Sequence, residues 1–204
     1  MDEACWEYFD PCGGNHMVMD IKTAIFGRRA VREYTGEAID EQTIRHLVRA
    51  AVCAPSAVNQ QPWMFTVVRD QGLLDRISRD AKAHMLATMG ASQHSDHFQT
   101  LLAAADFQIF YHAPALILIS AIEQGPWIVE DCSLAAENLM LAAYAGGLGT
   151  CWIGFAQGFL NTPEGKKTLG LPPACVAVAP IIVGHPKVVP PPVARKEPQI
   201  RWVG

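Results

Sequence analysis

Ala54-Pro55-Ser56-Ala57-Val58-Asn59-Gln60-Gln61-Pro62-Trp63 is the stretch on which the reading of this chain turns. On its amino side Ile44, Leu47, Val48, Ala51 and Val52 recur at helical spacing behind Asp40, a residue type that caps helix starts. On its carboxyl side residues 65–68 are a short apolar strand candidate. The stretch is therefore a helix-to-strand junction. A plain junction needs one or two turn residues, whereas this one holds two prolines, a serine, an asparagine, two glutamines and a tryptophan. Amide and hydroxyl groups at that density, with exposed backbone N–H groups between them, suit a planar ligand rich in heteroatoms.

The elements on either side set the fold class. Residues 20–29 read as a short helix behind Asp20, with Ile21, Ala24 and Ile25 on one face. Leu73, Leu74 and Ile77 start another helix, which the pattern carries toward Met89. Residues 90–100 are polar and weakly patterned, as in a connection or lid. Residues 115–121 form a continuous apolar run, the mark of a buried strand. Residues 128–145 form a long helix almost free of charge after Asp131, hence one buried in a core or a subunit interface. Thr162-Pro163-Glu164 opens a short helix with a cap, a proline and an acid. Residues 176–183 are a further strand, weakened at its centre by Pro180. The order predicts an α+β fold, helices flanking a mixed sheet, in one domain over residues 20–204 behind a tail over 1–19.

Composition narrows the function classes. Of the 204 residues half are hydrophobic and 18% are charged, with a net charge of −4 and a pI near 5.9. This describes a globular chain with no basic excess for nucleic acid or an anionic membrane. No apolar run reaches the roughly 18–20 residues of a membrane span. The first residues are acidic and aromatic, unlike a signal peptide, so a cytoplasmic setting is expected. Cys5, Cys12, Cys53, Cys132, Cys151 and Cys175 include no C-x-x-C pair, which disfavours a metal site and leaves a Cys5–Cys12 disulfide open.

Two more constellations carry chemistry. Arg28-Arg29-Ala30-Val31-Arg32 sets three guanidiniums in five positions at a helix end. Arginine grips phosphate bidentately and stays charged; the plainer reading is a solvated end that suits the helix dipole. Arg195-Lys196 in the proline-stiffened tail can add to the same grip. Gly146-Gly147-Leu148-Gly149-Thr150-Cys151-Trp152-Ile153-Gly154 follows the long helix, and its glycines allow a backbone to approach a flat ring closely. It is not a dinucleotide fingerprint. Together with the amide-rich junction these segments suggest a phosphorylated heterocyclic cofactor. His94-Ser95-Asp96-His97 is a weaker candidate, a metal loop with no further ligand nearby.

These motifs resemble the FMN-dependent nitroreductase family. The likeness rests on Arg28-Arg29-Ala30-Val31-Arg32 with Tyr34, on residues 54–63, on Gly147-Leu148-Gly149-Thr150-Cys151-Trp152-Ile153-Gly154 and on Val183-Gly184-His185-Pro186, in the family's order over residues 20–200. The resemblance implies a mixed central sheet and an intertwined homodimer with two FMN sites at its interface. It implies that Arg28, Arg29, Ala30 and Arg32 lie at the phosphate and ribityl chain, joined by Arg195. Pro55, Ser56, Ala57 and Asn59 would come from the partner subunit, with Gln61 lining the pocket. Ile153 and Gly154 would lie against the isoalloxazine near N5. Ala30 stands where the family often has serine, and His185 where tyrosine is more usual. Residues 82–112 match no family motif.

The implied activity is hydride transfer from NADH or NADPH to FMN and on to a nitroaromatic, quinone or flavin acceptor in a ping-pong sequence, with no catalytic acid or base demanded of the protein. Alternatives from other classes are a flavin store or sensor without nicotinamide turnover, a superfamily variant such as a reductive dehalogenase, and a thiol enzyme using Cys53 or Cys151. The sequence does not choose the acceptor or the nicotinamide.

Overall fold

The computed structural model describes residues 19–88 and 96–204. The predicted tail with Cys5 and Cys12, and the side chains of His94-Ser95-Asp96-His97, lie outside the described residues. The elements in order are α1 (Ile21–Gly27), α2 (Glu41–Val52), β1 (Trp63–Val68), α3 (Gln71–Thr88), α4 (Asp96–Ala103), β2 (Ala115–Ala121), α5 (Ile128–Ala145), β3 (Gly149–Trp152), α6 (Gly154–Leu160), α7 (Pro163–Leu169) and β4 (Val176–Gly184). The strands form one sheet in the order β1-β2-β4-β3, and each neighbouring pair is antiparallel. Among the described residues the parallel contact is an isolated bridge between Ala30 and Thr150.

Strand β2 shows why the chain forms three layers. It is apolar on both faces, and side chains alternate along a strand. Ala115, Ile117, Ile119 and Ala121 pack with Ile44, Leu47 and Ala51 of α2 and with Ala135, Leu139 and Ala143 of α5. Leu116 and Leu118 face the other way, onto Leu74, Ile77 and Ala81 of α3 and Ala156, Phe159 and Leu160 of α6. Each fully buried leucine or isoleucine contributes about 1.5–3 kcal/mol, so the two faces dominate stability. The helix starts are capped as the sequence predicts. Asp20 accepts from Lys22 N at 2.9 Å, Asp40 from Thr43 N at 2.7 Å, and the Thr162 hydroxyl from Gly165 N at 3.0 Å.

Several expectations change. Residues 96–100 are not a loop but the start of α4; its apolar half, with fully buried Leu102, lies just past the stretch read as polar. The Gly146–Gly154 segment is not only a helix stop, for β3 occupies residues 149–152 and α6 follows it. Pro180 does not weaken β4. Its carbonyl accepts from Ile153 N at 2.8 Å, where β3 has ended and α6 begins, so its missing N–H falls at the edge of the ladder. In α1 only Ala24 is buried, whereas Ile21, Ile25 and Phe26 are 63%, 54% and 75% exposed.

Candidate functional site

The arginine segment is held against β3 by a close backbone approach. A Cβ on Gly149 would stand 2.7 Å from Val31, so glycine is needed for that contact. Val31 N then donates to Thr150 O at 2.9 Å, and Ala30 bridges Thr150. Beyond it Thr35 N donates to His185 O and Lys187 N to Glu33 O, both at 2.9 Å, tying the segment to the end of β4.

The three arginines part company. Arg29 folds back on the end of α1, its Nη1 donating to Phe26 O at 2.7 Å and Arg28 O at 2.8 Å. That is the role of a cation at a helix C-terminus. Arg28 meets a carboxylate only at 3.7 Å, the half-exposed Glu137. Arg32 stands 5.9 Å from the ring centre of Tyr111 and hydrogen-bonds its phenol, with no carboxylate partner among the described residues. Arg28 and Arg32 therefore leave positive charge beside β3 largely uncompensated. Burial pushes the Cys151 thiol up, and the two guanidiniums oppose that shift. Burial also raises the Tyr34 phenol, chiefly, with Cys151 adding to the rise and Arg32 opposing it; its hydroxyl donates to Val31 O at 2.7 Å. Neither group is an acid or base for neutral pH.

Past the end of β3, Ile153 is buried and Gly154 is exposed. A Cβ on Gly154 would meet no atom within 4 Å, so an open face lies against this backbone. Uncompensated guanidiniums and a bare backbone edge along one side of β3 fit an elongated ligand with an anionic end and a flat ring.

The amide-rich junction is a strained loop held from inside. Val58, Asn59 and Gln61 have left-handed φ values of 47°, 57° and 50°. A non-glycine residue in that region costs of order 1–3 kcal/mol and persists where neighbours over-determine it. Ala57 N donates to Asp131 Oδ1 at 3.0 Å, Gln61 N to Ser56 Oγ at 2.9 Å, and Gln61 Nε2 to Asn59 Oδ1 at 3.0 Å. Asp131 is 3% exposed, and its Oδ2 has no partner. The remaining left-handed non-glycine residues among the described ones are Tyr111 and His112, beside Arg32. Strain is thus confined to two segments, both next to predicted site residues. Asp131, Tyr111 and the rings near it were not singled out from sequence. A carboxylate on the inner face of an apolar helix and the Phe107–Tyr111 aromatic spacing were the available signals.

The two halves of the predicted site do not meet within one chain. Residues 54–62 precede β1 at one edge of the sheet, and Arg28–Arg32 lie against β3 at the other, about 14 Å away at three strand spacings. They also sit at opposite ends of the strands and of α5, since Asp131 holds the loop while Tyr144 abuts Gly27. The rise from residue 131 to 144 is about 20 Å. Arg28, Ala30, Arg32, Ile153 and Gly154 are gathered at one corner; Pro55, Ser56, Ala57, Asn59 and Gln61 at the diagonal one. Arg195 is exposed in an extended tail and makes no hydrogen bond or ion pair with other described residues.

The chain is thus an antiparallel sheet between two helical layers, with two guanidiniums and a bare backbone edge beside one outer strand. The chain belongs to the Nitroreductase family, whose model matches residues 25–185. It is 33% identical over 164 residues to a protein of Archaeoglobus fulgidus provisionally named NADH dehydrogenase/NAD(P)H nitroreductase, covering 80% of this chain and 83% of that one. It is 26% identical over 167 residues to an iodotyrosine deiodinase of Haliscomenobacter hydrossis, covering 72% and 74%. Among solved structures it is similar to an FMN-bound nitroreductase from Bacteroides fragilis, with a TM-score of 0.78, 25% identity, and coverage of 91% of this chain and 100% of that one.

Proposed function

We propose that this member of the Nitroreductase family is an FMN-dependent oxidoreductase that passes electrons from NADH or NADPH to small planar acceptors, nitroaromatics, quinones or flavins, in two half-reactions over one open face. The observation that carries the reading is the corner beside β3, where Arg28 and Arg32 both act on Cys151 and the Gly154 backbone just past the strand is bare. FMN, when bound, would supply the redox chemistry between nicotinamide and acceptor. The chain's own residues bind, orient and shield. Arg28 would hold the phosphate, with Arg195 closing from the tail, and Arg32 would add its charge on the ring side of the same corner. Ala30 would border the ribityl chain, with Arg29 as its helix-end brace. Ile153 gives an apolar floor, and Gly154 lets the backbone reach the ring. A fixed cation near a ring that gains negative charge favours its reduced form without reorganisation.

The second half of the site comes from another copy of the chain. Diagonal corners of one sheet cannot serve one ring, so Pro55, Ser56, Ala57, Asn59 and Gln61 of a partner subunit complete the pocket in a homodimer. The exposed apolar residues support this. Ile21, Ile25 and Phe26 of α1, Val129 and Leu134 of α5, and Ile200, Trp202 and Val203 of the tail are between 46% and 87% exposed. Large apolar side chains left in water in this number are what a subunit interface covers.

Anaerobic addition of NADH or NADPH to the yellow protein tests the reading. Bleaching, followed by recovery of colour with a quinone, is expected. Colour without bleaching by either nicotinamide overturns it in favour of a flavin store. The deiodinase relative keeps reductive dehalogenation as the second reading, and halide release from an iodinated phenol by the reduced protein distinguishes it.

A further inference from the structure

Helix α3 carries a polar stripe, Gln71, Asp75, Ser78 and Lys82, at steps of four, three and four residues. That spacing puts all four on one face. Each bonds the connection between α4 and β2. Gln71 Nε2 donates to Ala113 O at 2.9 Å, and Asp75 Oδ1 accepts from Gln108 Nε2 at 3.0 Å. The Ser78 hydroxyl, 2% exposed, accepts from Ile109 N at 3.0 Å. Lys82 Nζ donates to the carbonyls of Ala104 at 2.6 Å and Phe107 at 2.7 Å, and lies 5.8 Å from the Phe107 ring centre.

The connection so held contains Tyr111 and His112, both at a left-handed φ of 53°. It also carries half of a rim of rings. Tyr111 is 5.7 Å from Phe107, Phe107 is 6.5 Å from Phe155, and Phe155 is 6.1 Å from Phe98. The rim runs from Arg32, over Tyr111, to Phe155, the neighbour of Gly154, with Phe98 beyond it. It therefore borders the open face beside Gly154. Edge-to-face rings at these separations prefer one geometry, and a ring that is only partly buried keeps it when its backbone is fixed.

We propose that Lys82 is a positioning residue that sets the affinity of this site for planar acceptors. It touches no reactant. Its ammonium clamps the main chain on both sides of Phe107 and lies over that ring, and Phe107 in turn spaces Tyr111 from Phe155. A lysine on a helix otherwise extends into water; this one turns its donors inward, to the Phe107 carbonyl and to the Ala104 carbonyl, which also accepts from Phe107 N at 3.3 Å. The inference rests on the reading of Gly154 as the ring edge.

The test uses the flavin-loaded protein and Lys82→Met, which keeps the stem and removes the donors, beside Lys82→Arg, which restores them. Menadione is titrated into the oxidised protein by the flavin absorbance band, and turnover is followed with menadione and with ferricyanide, which takes electrons without stacking. Lys82→Met should raise the menadione dissociation constant and KM roughly tenfold, with kcat within about twofold, the scale of one lost ring contact. Reoxidation by ferricyanide should not change, and Lys82→Arg should restore menadione binding. Unchanged menadione binding in Lys82→Met overturns the proposal, and so does an equal loss with ferricyanide. If Lys82→Met does not fold, Phe107→Leu must give the same menadione shift, and its failure to do so is equally decisive. A wild-type protein that binds flavin but does not turn over refutes the reductase reading, while the menadione dissociation constants still decide the role of Lys82.

Discussion

Replacing Asp131 by alanine should weaken FMN binding while leaving the fold nearly as stable as before. The carboxylate does two opposing things. Its Oδ1 accepts from Ala57 N across 74 residues of sequence, and a bond to a charged acceptor is worth about 1.5–3 kcal/mol. Its Oδ2 is buried without a partner, which costs about 1–3 kcal/mol. Loss of the first and relief of the second nearly cancel in global stability. They do not cancel in the loop. Once Ala57 is released, the left-handed Val58, Asn59 and Gln61 relax toward ordinary φ, and a ligand must pull them back. The loop's lost restraint of about 1.5–3 kcal/mol then appears as a tenfold to hundredfold rise in the FMN dissociation constant. Asp131→Asn keeps an acceptor but not the charge, and should fall between the two, within about tenfold of wild type. Fluorescence titration of the apoprotein with FMN measures the affinities, and amide exchange at Ala57 reports the loop. An FMN affinity unchanged in Asp131→Ala, or a melting temperature that collapses with it, would refute the reasoning.

Further outcomes follow from the same geometry. Arg28→Ala with Arg32→Ala should weaken FMN binding by about two to four decades, at roughly 1.5–3 kcal/mol per charge-assisted contact; flavin retained through purification of the double variant would exclude an arginine grip on FMN there. Leu134→Glu places a charge on the 46% exposed face of α5 and should give a folded monomer without flavin in sedimentation, whereas Leu139→Glu, at a fully buried position, should unfold the chain. Asp40→Ala should cost about 1 kcal/mol of stability near neutral pH by removing the cap on Thr43 N. The Asp40 carboxyl is held below 3.8, first by the Thr43 backbone bond and then by its hydroxyl. Because the folded value lies below the unfolded one, the cap contributes fully above the ordinary 3.8 and is lost as pH falls through the folded value. The gap between wild type and variant should therefore close in acid, and a gap that persists would assign it to another cause.

Much of this architecture was legible in the chain. Residues 115–121 and 128–145 are read with the limits they have in β2 and α5, because uninterrupted apolar runs have sharp ends. Asp20, Asp40 and Thr162 announce their helices, since capping is a local interaction. β3 and α6 were missed because glycines at 149, 154 and 158 break any periodic signal, although Gly149 is there for its contact with Val31. The α4 start was missed because its apolar half followed a polar one. The supports of the site were less visible. Asp131 to Ala57, Gln71 to Ala113 and Lys82 to Phe107 span 74, 42 and 25 residues, and only the tertiary fold brings such pairs together. Arg29 shows the converse: the motif marks it as a ligand-binding arginine, while its local geometry also makes it a helix cap.

Both strained segments are held by the same device. A helix packed flat on the sheet turns a few polar side chains inward, and these bond backbone groups in the segments that contain the left-handed residues. α5 does this for the amide-rich loop through Asp131, and α3 does it for the aromatic rim through Gln71, Ser78 and Lys82. Such polar groups weaken an apolar core, so their position next to the two site segments is informative: the helices fix geometry that the loops could not keep alone. The price in stability is smallest where the helix is most rigid, and α5 has the longest apolar contact with the sheet. In the proposed dimer each α5 gives its first turn to the loop completing one pocket and its second half, through Glu137 and Tyr144, to the arginine corner of the other. One rigid rod of about 27 Å then sets a wall in both sites, and the spacing of the two flavins is fixed by secondary structure rather than by loops.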